Sequence, residues 1–176
     1  MITIKNNKLI NYGNRGMTLE DDINLTNNYY KEKDIALIYK KPIPIKVLKI
    51  NETKTRIKDG FYEQKSTLDY SGIYKEKYLE FDAKETNSKT SFSILNIQPH
   101  QIEHIKNIIH FKGISFLIIR FNLLNETYLL EGHKLLAFLE ENERKSIPLS
   151  YFQENCPKIA LKYAPRLDYL KVIDIL

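Results

Sequence analysis

Two segments of alternating polar and apolar residues, joined by a short polar turn, constrain the fold of this chain more than any other feature. Thr67 to Tyr74 and Tyr78 to Thr86 both show the two-residue period of a β-strand. Only Lys75-Glu-Lys77 separates them, so the sequence predicts an antiparallel hairpin. The fold must therefore contain a sheet built around that hairpin.

Charged side chains are predicted to converge on one face of this hairpin. Successive side chains of a strand point to opposite faces, so the apolar residues of the second segment share one face, and Asp82 and Lys84 share the other. Thr67 and Asp69 share a face of the first segment, which a tight turn would place against Asp82 and Lys84. We therefore expect two carboxylates, a hydroxyl and an ammonium to lie close together.

These groups are typical of metal-assisted phosphodiester hydrolysis. Mg²⁺ prefers carboxylate and neutral oxygen ligands and keeps several waters. The bound cation polarises a phosphoryl oxygen and makes a bound water more acidic. A lysine in the position of Lys84 can orient that water and stabilise charge that develops on the phosphate. The alternative is an exposed, charged sheet face on which Lys84 bridges the two acids.

The remaining pattern predicts a single domain, residues 1–176, of the α/β class, with a mixed central sheet flanked by helices. The predicted helices are Thr18 to about Lys33, capped by Thr18, Pro99 to Phe111, and Gly132 to Asn142. The further strands are Asp34 to Tyr39, Ile45 to Ile50, Ile114 to Phe121, and Thr127 to Leu130.

Positive charge is concentrated in one segment of the chain. The formal net charge is +5, and between Lys40 and Lys58 the basic side chains face a single acid, Glu52. A basic segment on a neutral body favours a polyanionic partner such as nucleic acid. The turn-rich residues Asn51 to Gly60 predict that this segment forms a protruding hairpin. The alternative is a solvated lysine-rich face.

A second motif favours a different metal. His100-Gln-Ile-Glu-His104 matches the inverted zinc-peptidase pattern, with both histidines on one helical face. The third ligand would come from an acid such as Glu131 or Glu140. The alternatives are a solvent-facing helical turn, or a first-turn Gln101 that reaches the predicted magnesium site directly or through water.

Several classes of protein are not expected. Cys156 is the only cysteine, so no internal disulfide can form. The longest apolar stretch, Ile114 to Arg120, is far shorter than the ~20 residues of a membrane span. The first ten residues lack the apolar run of a secretory signal, which predicts a cytoplasmic protein.

Six segments together resemble the RecU Holliday junction resolvases, which belong to the restriction-endonuclease-like nucleases with a D…(D/E)-x-K core. They are NRGMTLEDDIN at 14–24, YKKPIPI at 39–45, STLDYSGIYKEKYLEFDAKET at 66–86, KTSF at 89–92, HQIEH at 100–104 and YAPRLDY at 163–169. Asp82 stands where Glu is usual in the family. Because HQIEH is one of the family segments, the resemblance argues against zinc.

The resemblance implies a bacterial, cytoplasmic homodimer that cuts four-way DNA junctions symmetrically in recombination and DNA repair, with Mg²⁺ or, as a substitute, Mn²⁺. Recombination proteins are implied as further partners, and a membrane is not. The implied site residues are the metal ligands Thr67, Asp69, Asp82 and Gln101, the catalytic Lys84 and Glu20, and the DNA contacts Arg15, Lys54, Arg56 and Lys58. The last three lie in the family's stalk, at about 48–61.

Two other functions stay open at this point. One is a non-catalytic protein that binds branched DNA, and the other is restriction-type cleavage of linear duplex.

Overall fold

The computed structural model describes residues 18–53, 55–62 and 67–175, apart from the side chain of Tyr62. The helices in this part of the chain are α1 (Leu19–Glu32), α2 (Pro99–His110), α3 (Gly132–Glu141), α4 (Leu149–Asn155) and α5 (Tyr169–Ile173). The strands are β1 (Leu37–Lys40), β2 (Ile45–Ile50), β3 (Ile57–Tyr62), β4 (Tyr70–Tyr74), β5 (Lys77–Thr86), β6 (Ser91–Ser93), β7 (Ile114–Phe121), β8 (Glu126–Glu131) and β9 (Ser146–Pro148).

The centre of the molecule is a five-stranded mixed sheet in the order β1-β4-β5-β7-β8. β5 and β7 are parallel, and the other neighbouring pairs are antiparallel. The predicted β4–β5 hairpin forms, with Tyr74 opposite Lys77 at its turn. The predicted fold class, an α/β fold with a mixed central sheet flanked by helices, is confirmed.

The α1 helix begins where the sequence predicts. The Thr18 hydroxyl accepts a hydrogen bond from the backbone N–H of Asp21, and the Asp21 carboxylate accepts one from the backbone N–H of Thr18. This capping box satisfies two amide groups that a helix start leaves without partners. Leu19 and Ile23 then lie fully buried against the sheet.

Helices cover both faces of the sheet. One core joins α1 and α5 to residues such as Phe81 and Phe116, and the other joins α2, α3 and α4 to residues such as Leu117. Asp82 is the register partner of Leu117, and side chains of adjacent register partners share a face. Glu80, Asp82 and Lys84 of β5 therefore point to the α2 side of the sheet.

β2 and β3 form a separate two-stranded hairpin. All β2 residues are exposed, and so are the described side chains of β3, which places this hairpin outside both cores. It runs from Ile45 to Tyr62 and contains most of the segment expected to form the stalk.

Two predicted strand starts are wrong by three residues, and those of β5 and β8 by one. β1 begins at Leu37 rather than Asp34, because Asp34 has a φ of 54°, which no strand residue adopts. β4 begins at Tyr70 rather than Thr67, because the Leu68 backbone N–H bonds the side chain of Glu80 instead of a neighbouring strand. Thr67 and Asp69 thus lie in the short segment that leads into β4.

Candidate active site

Asp82 and Lys84 lie on β5 with their side chains on the α2 side of the sheet. Asp82 is fully buried, and Lys84 Nζ lies 2.9 Å from Asp82 Oδ2. A buried carboxylate requires compensation by cations or hydrogen-bond donors. The alternative of an exposed, charged sheet face is therefore wrong for Asp82.

Asp69 joins Asp82 from the segment before β4, as the sequence predicts. The pKa of Asp69 is raised to about 6, first by burial and then by the charge and hydrogen-bonding contact of Asp82. Lys84 and Lys40 act in the opposite direction without cancelling these effects. Two carboxylates that share a site in this way need a proton or a cation between them.

Gln101 is the third residue of α2 and closes the site from the helix side. Its Nε2 donates to Asp82 Oδ2 at 2.6 Å and to the Thr67 carbonyl at 3.0 Å, and its Oε1 accepts from the Gln98 backbone N–H. Gln101 therefore contacts the predicted ligands as a donor. A role as metal ligand requires either a reversed amide or an intervening water.

One oxygen at this site has no partner. Asp82 Oδ1 is buried and makes no hydrogen bond within the described part of the chain. An unpaired carboxylate oxygen beside a second carboxylate of raised pKa fits a hard divalent cation, which binds such oxygens and removes their repulsion. The Thr67 carbonyl adds a neutral oxygen of the kind that Mg²⁺ accepts.

The residues of the zinc-peptidase alternative are not assembled. His104 Nε2 lies 2.9 Å from Glu80 Oε1, and Glu131 pairs with Lys134 at 2.7 Å. Residues 18–53, 55–62 and 67–175 contain no cluster of three or more His, Cys, Asp and Glu side chains that could hold a metal ion. Oxygens of other residue types must therefore complete a cation site at Asp69 and Asp82.

Glu80 and Lys41 have a larger part in the site than the sequence indicated. Glu80 lies buried next to the site, and its carboxylate accepts hydrogen bonds from Lys41, Tyr78 and His104. Burial raises the pKa of Glu80, but these hydrogen bonds outweigh it and hold the pKa below its usual value. The strand alternation placed Glu80 on the face of Asp82, whereas no pattern in the sequence pointed to Lys41.

The other predicted site residues lie at the rim, on the hairpin or outside the described residues. Glu20, early in α1, is half-exposed and pairs with Lys40, whose charge acts on Asp69. Arg56 lies beside the turn of the β2–β3 hairpin, and Lys58 lies on β3. Arg15 and Lys54 lie outside the residues that the structure describes.

Comparisons with known proteins agree on one family. The RecU family model, described as Recombination protein U, matches residues 14–175. Holliday junction resolvase RecU from Geobacillus sp. (strain WCH70) is 46% identical over 170 residues, with 93% of this chain and 85% of that protein covered. Holliday junction resolvase RecU from Lactococcus lactis subsp. cremoris (strain MG1363) is 43% identical over 174 residues, with 97% and 82% covered.

Solved structures are also similar to this chain. The Holliday junction resolvase Hjc of Archaeoglobus fulgidus aligns with 80% of this chain and 93% of its own, at 11% identity and a TM-score of 0.42. No helix in the described part of the chain is both long and apolar enough to span a membrane.

Proposed function

This chain belongs to the RecU family, and on that premise we propose that it is a Holliday junction resolvase, an endonuclease that cuts four-way DNA junctions in recombination and repair. The observation that carries the proposal is the pairing of half-buried Asp69 with buried Asp82, with an unpaired oxygen on Asp82 and Lys84 Nζ at 2.9 Å. The relatives are Holliday junction resolvases, which supplies the reaction, and this pair supplies groups that fit it.

Each residue of the site has a separate role in the proposed reaction. Asp69, Asp82 and the Thr67 carbonyl would hold a divalent ion, Mg²⁺ or Mn²⁺, and Gln101 would contact it directly or through water. When bound, such an ion polarises a phosphoryl oxygen and acidifies a water. Lys84 uses part of its three-donor ammonium on Asp82, which leaves N–H groups for the attacking water and for charge on the phosphate.

The β2–β3 hairpin is the proposed junction-binding stalk. It stands outside both cores and carries Lys46, Lys49, Arg56 and Lys58 on exposed backbone, beside the predicted Lys54. Phosphate contacts by such residues release counterions and make affinity fall steeply with salt. Arg15 is proposed as a further phosphate contact, and Glu20, through Lys40, as an acid at the rim of the site.

A homodimer is the proposed active form, because two matched cuts across a junction require two active sites related by a two-fold axis. Light scattering that showed a monomer at the concentrations used for cutting would contradict it. The proposed place of action is the bacterial cytoplasm, where the DNA lies, and recombination proteins stay predicted partners.

Cleavage of a synthetic four-way junction tests the function. With Mg²⁺ or Mn²⁺ we expect paired, symmetric cuts in the junction, an intact linear duplex, and no product after chelation. Lys84→Ala should bind the junction and fail to cut it. Tight, salt-sensitive junction binding with no cation-dependent product would favour a non-catalytic binding protein, and cutting of linear DNA at a fixed sequence would favour a restriction-type enzyme.

A further inference from the structure

Two buried carboxylates lie two residues apart on the same face of β5, and their partners differ. Asp82 Oδ1 has no partner among the described residues. Glu80, 1% exposed, has both oxygens in use: Oε1 accepts from Lys41, from the Thr67 hydroxyl at 3.1 Å and from His104 at 2.9 Å. Since Oε2 accepts from the Tyr78 hydroxyl, each Glu80 oxygen already has a donor within the protein.

The donors to Glu80 come from separate parts of the fold. Lys41 follows β1 at the root of the hairpin, Thr67 opens the segment that carries Asp69, and His104 lies one turn beyond Gln101 in α2. The Leu68 backbone N–H also approaches Glu80 Oε1, at 3.3 Å. Glu80 therefore ties the segment 67–69 to the central strand and to α2 at one point.

Lys41 holds the same segment from its other side. Its backbone N–H donates to the Asp69 carbonyl at 2.7 Å, and its ammonium donates to the Thr67 hydroxyl and to Glu80. Lys41 is also the cation that compensates the buried Glu80 charge. The residues on both sides of Leu68 are thus fixed by Lys41, Thr67 through its ion pair with buried Glu80 and Asp69 through its backbone N–H.

We propose that Glu80, with Lys41 as its counter-charge, is the positioning residue of the cation site. It fixes the segment 67–69 so that the Asp69 carboxylate and the Thr67 carbonyl stay beside Asp82, and it does not bind the cation itself. This inference rests on the proposed function for the reaction, but cation binding tests it without any reaction. Outer partners of metal ligands contribute to affinity in this way, by orienting the ligands.

Glu80→Gln tests the proposal because it keeps the shape of the side chain and removes the charge that Lys41 requires. We expect Mn²⁺ binding, measured by calorimetry without DNA, to weaken by about 10–100-fold. Cutting should fall at low cation concentration and recover toward the wild-type rate at saturating cation. Junction binding without cation should not change.

Glu126→Gln is the matched control. Glu126 also lies on a strand and accepts hydrogen bonds from a lysine, Lys158, and a tyrosine, Tyr128, at 2.6 and 2.8 Å. These bonds likewise lower its pKa, but none of its partners is a residue of the cation site. Glu126→Gln should therefore bind Mn²⁺ with wild-type affinity.

Three outcomes overturn the proposal. The first is wild-type Mn²⁺ affinity in folded Glu80→Gln. The second is a loss of cutting that no cation concentration restores while Mn²⁺ affinity stays unchanged, because Glu80 would then act in the chemistry itself. If Glu80→Gln does not fold, Lys41→Met replaces it in the same measurement. The third outcome is wild-type Mn²⁺ affinity in folded Lys41→Met. A wild-type protein that binds Mn²⁺ but cuts no junction would contradict the proposed function alone.

Discussion

The central sheet buries carboxylates on both of its faces and treats them in opposite ways. On the α1 side, Asp22 has an arginine on each oxygen, Arg120 Nη2 at 2.6 Å and Arg166 Nε at 2.9 Å. On the α2 side, Asp69 and Asp82 share a site with one lysine at 2.9 Å and an unpaired oxygen. Asp22 and Asp82 are both buried, but only Asp22 has a cation on each of its oxygens.

The difference separates a structural ion cluster from a functional one. The Asp22 cluster joins α1, β7 and the chain before α5. Its two ion pairs therefore hold segments together that are distant in sequence. The Asp69–Asp82 pair reduces stability through like-charge repulsion until a cation binds. Loss of a partner should therefore affect folding on the first side, and cation binding and catalysis on the second.

Arg120→Met should give the largest effect on stability. It leaves Asp22 buried with one partner fewer, so the free energy of unfolding should fall by about 3–5 kcal/mol. Urea unfolding measures this. Lys158→Met, which breaks an exposed pair with Glu126, should change it by less than about 1 kcal/mol. An equally small change in the free energy of unfolding of Arg120→Met would contradict a structural role for the Asp22 cluster.

Asp82→Asn should give the opposite pattern. Cutting of a four-way junction should fall by about 10²–10³-fold or more, as it does when a group that stabilises a transition state is removed. The free energy of unfolding without cation should not fall, since one of two repelling carboxylates is lost. Junction cleavage and urea unfolding of one preparation decide the matter, and a loss of stability equal to that of Arg120→Met would contradict the assignment.

The free energy of unfolding should depend on pH through Asp69. Asp69 has a pKa of about 6 in the folded protein, above its value of 3.8 when unfolded, so the folded state binds its proton more tightly. Its stabilising contribution is full below about pH 4 and is lost as the pH rises through 6, by about 1–2 kcal/mol after solvent screening.

Asp69→Asn should flatten the unfolding free energy between pH 4 and about 6 in cation-free protein. Mn²⁺ binding by the wild type should weaken below pH 6, because the proton competes for the Asp69 carboxylate. Urea unfolding across this pH range gives the slope. An identical slope in the variant would show that another group titrates there.

Thr18→Ala should give the smallest effect and sets the scale for an exposed polar contact. Loss of the α1 cap should lower the free energy of unfolding by about 1 kcal/mol, without a change in Mn²⁺ affinity. Thermal unfolding measures the first and calorimetry the second. A change in Mn²⁺ affinity would mean that the α1 start, and with it Glu20, is coupled to the site.

Local patterns predicted the elements whose signals are local. Thr18 marked the start of α1, Pro99 that of α2, and the Lys75-Glu-Lys77 turn fixed the β4–β5 hairpin. The start of β4 was wrong because Glu80, thirteen residues after Thr67, captures the polar groups of that segment. A side-chain contact of that separation has no local signature.

The candidate site was predicted unevenly for the same reason. Strand alternation brought Asp82 and Lys84 together, and the short turn added Asp69. Gln101 came from its place in the first turn of the predicted helix, and the family resemblance implied its role as a metal ligand. The Asp22 cluster was not predicted, because an arginine 98 residues away leaves no spacing pattern to follow.

Calorimetric titration of Mn²⁺ into the wild type and into Asp82→Asn, at neutral pH and without DNA, is the most direct test of the cation site. We predict saturable binding to the wild type that is lost in the variant while its fold is retained. Equal Mn²⁺ binding by both proteins would contradict the assignment of Asp69 and Asp82 as the cation site.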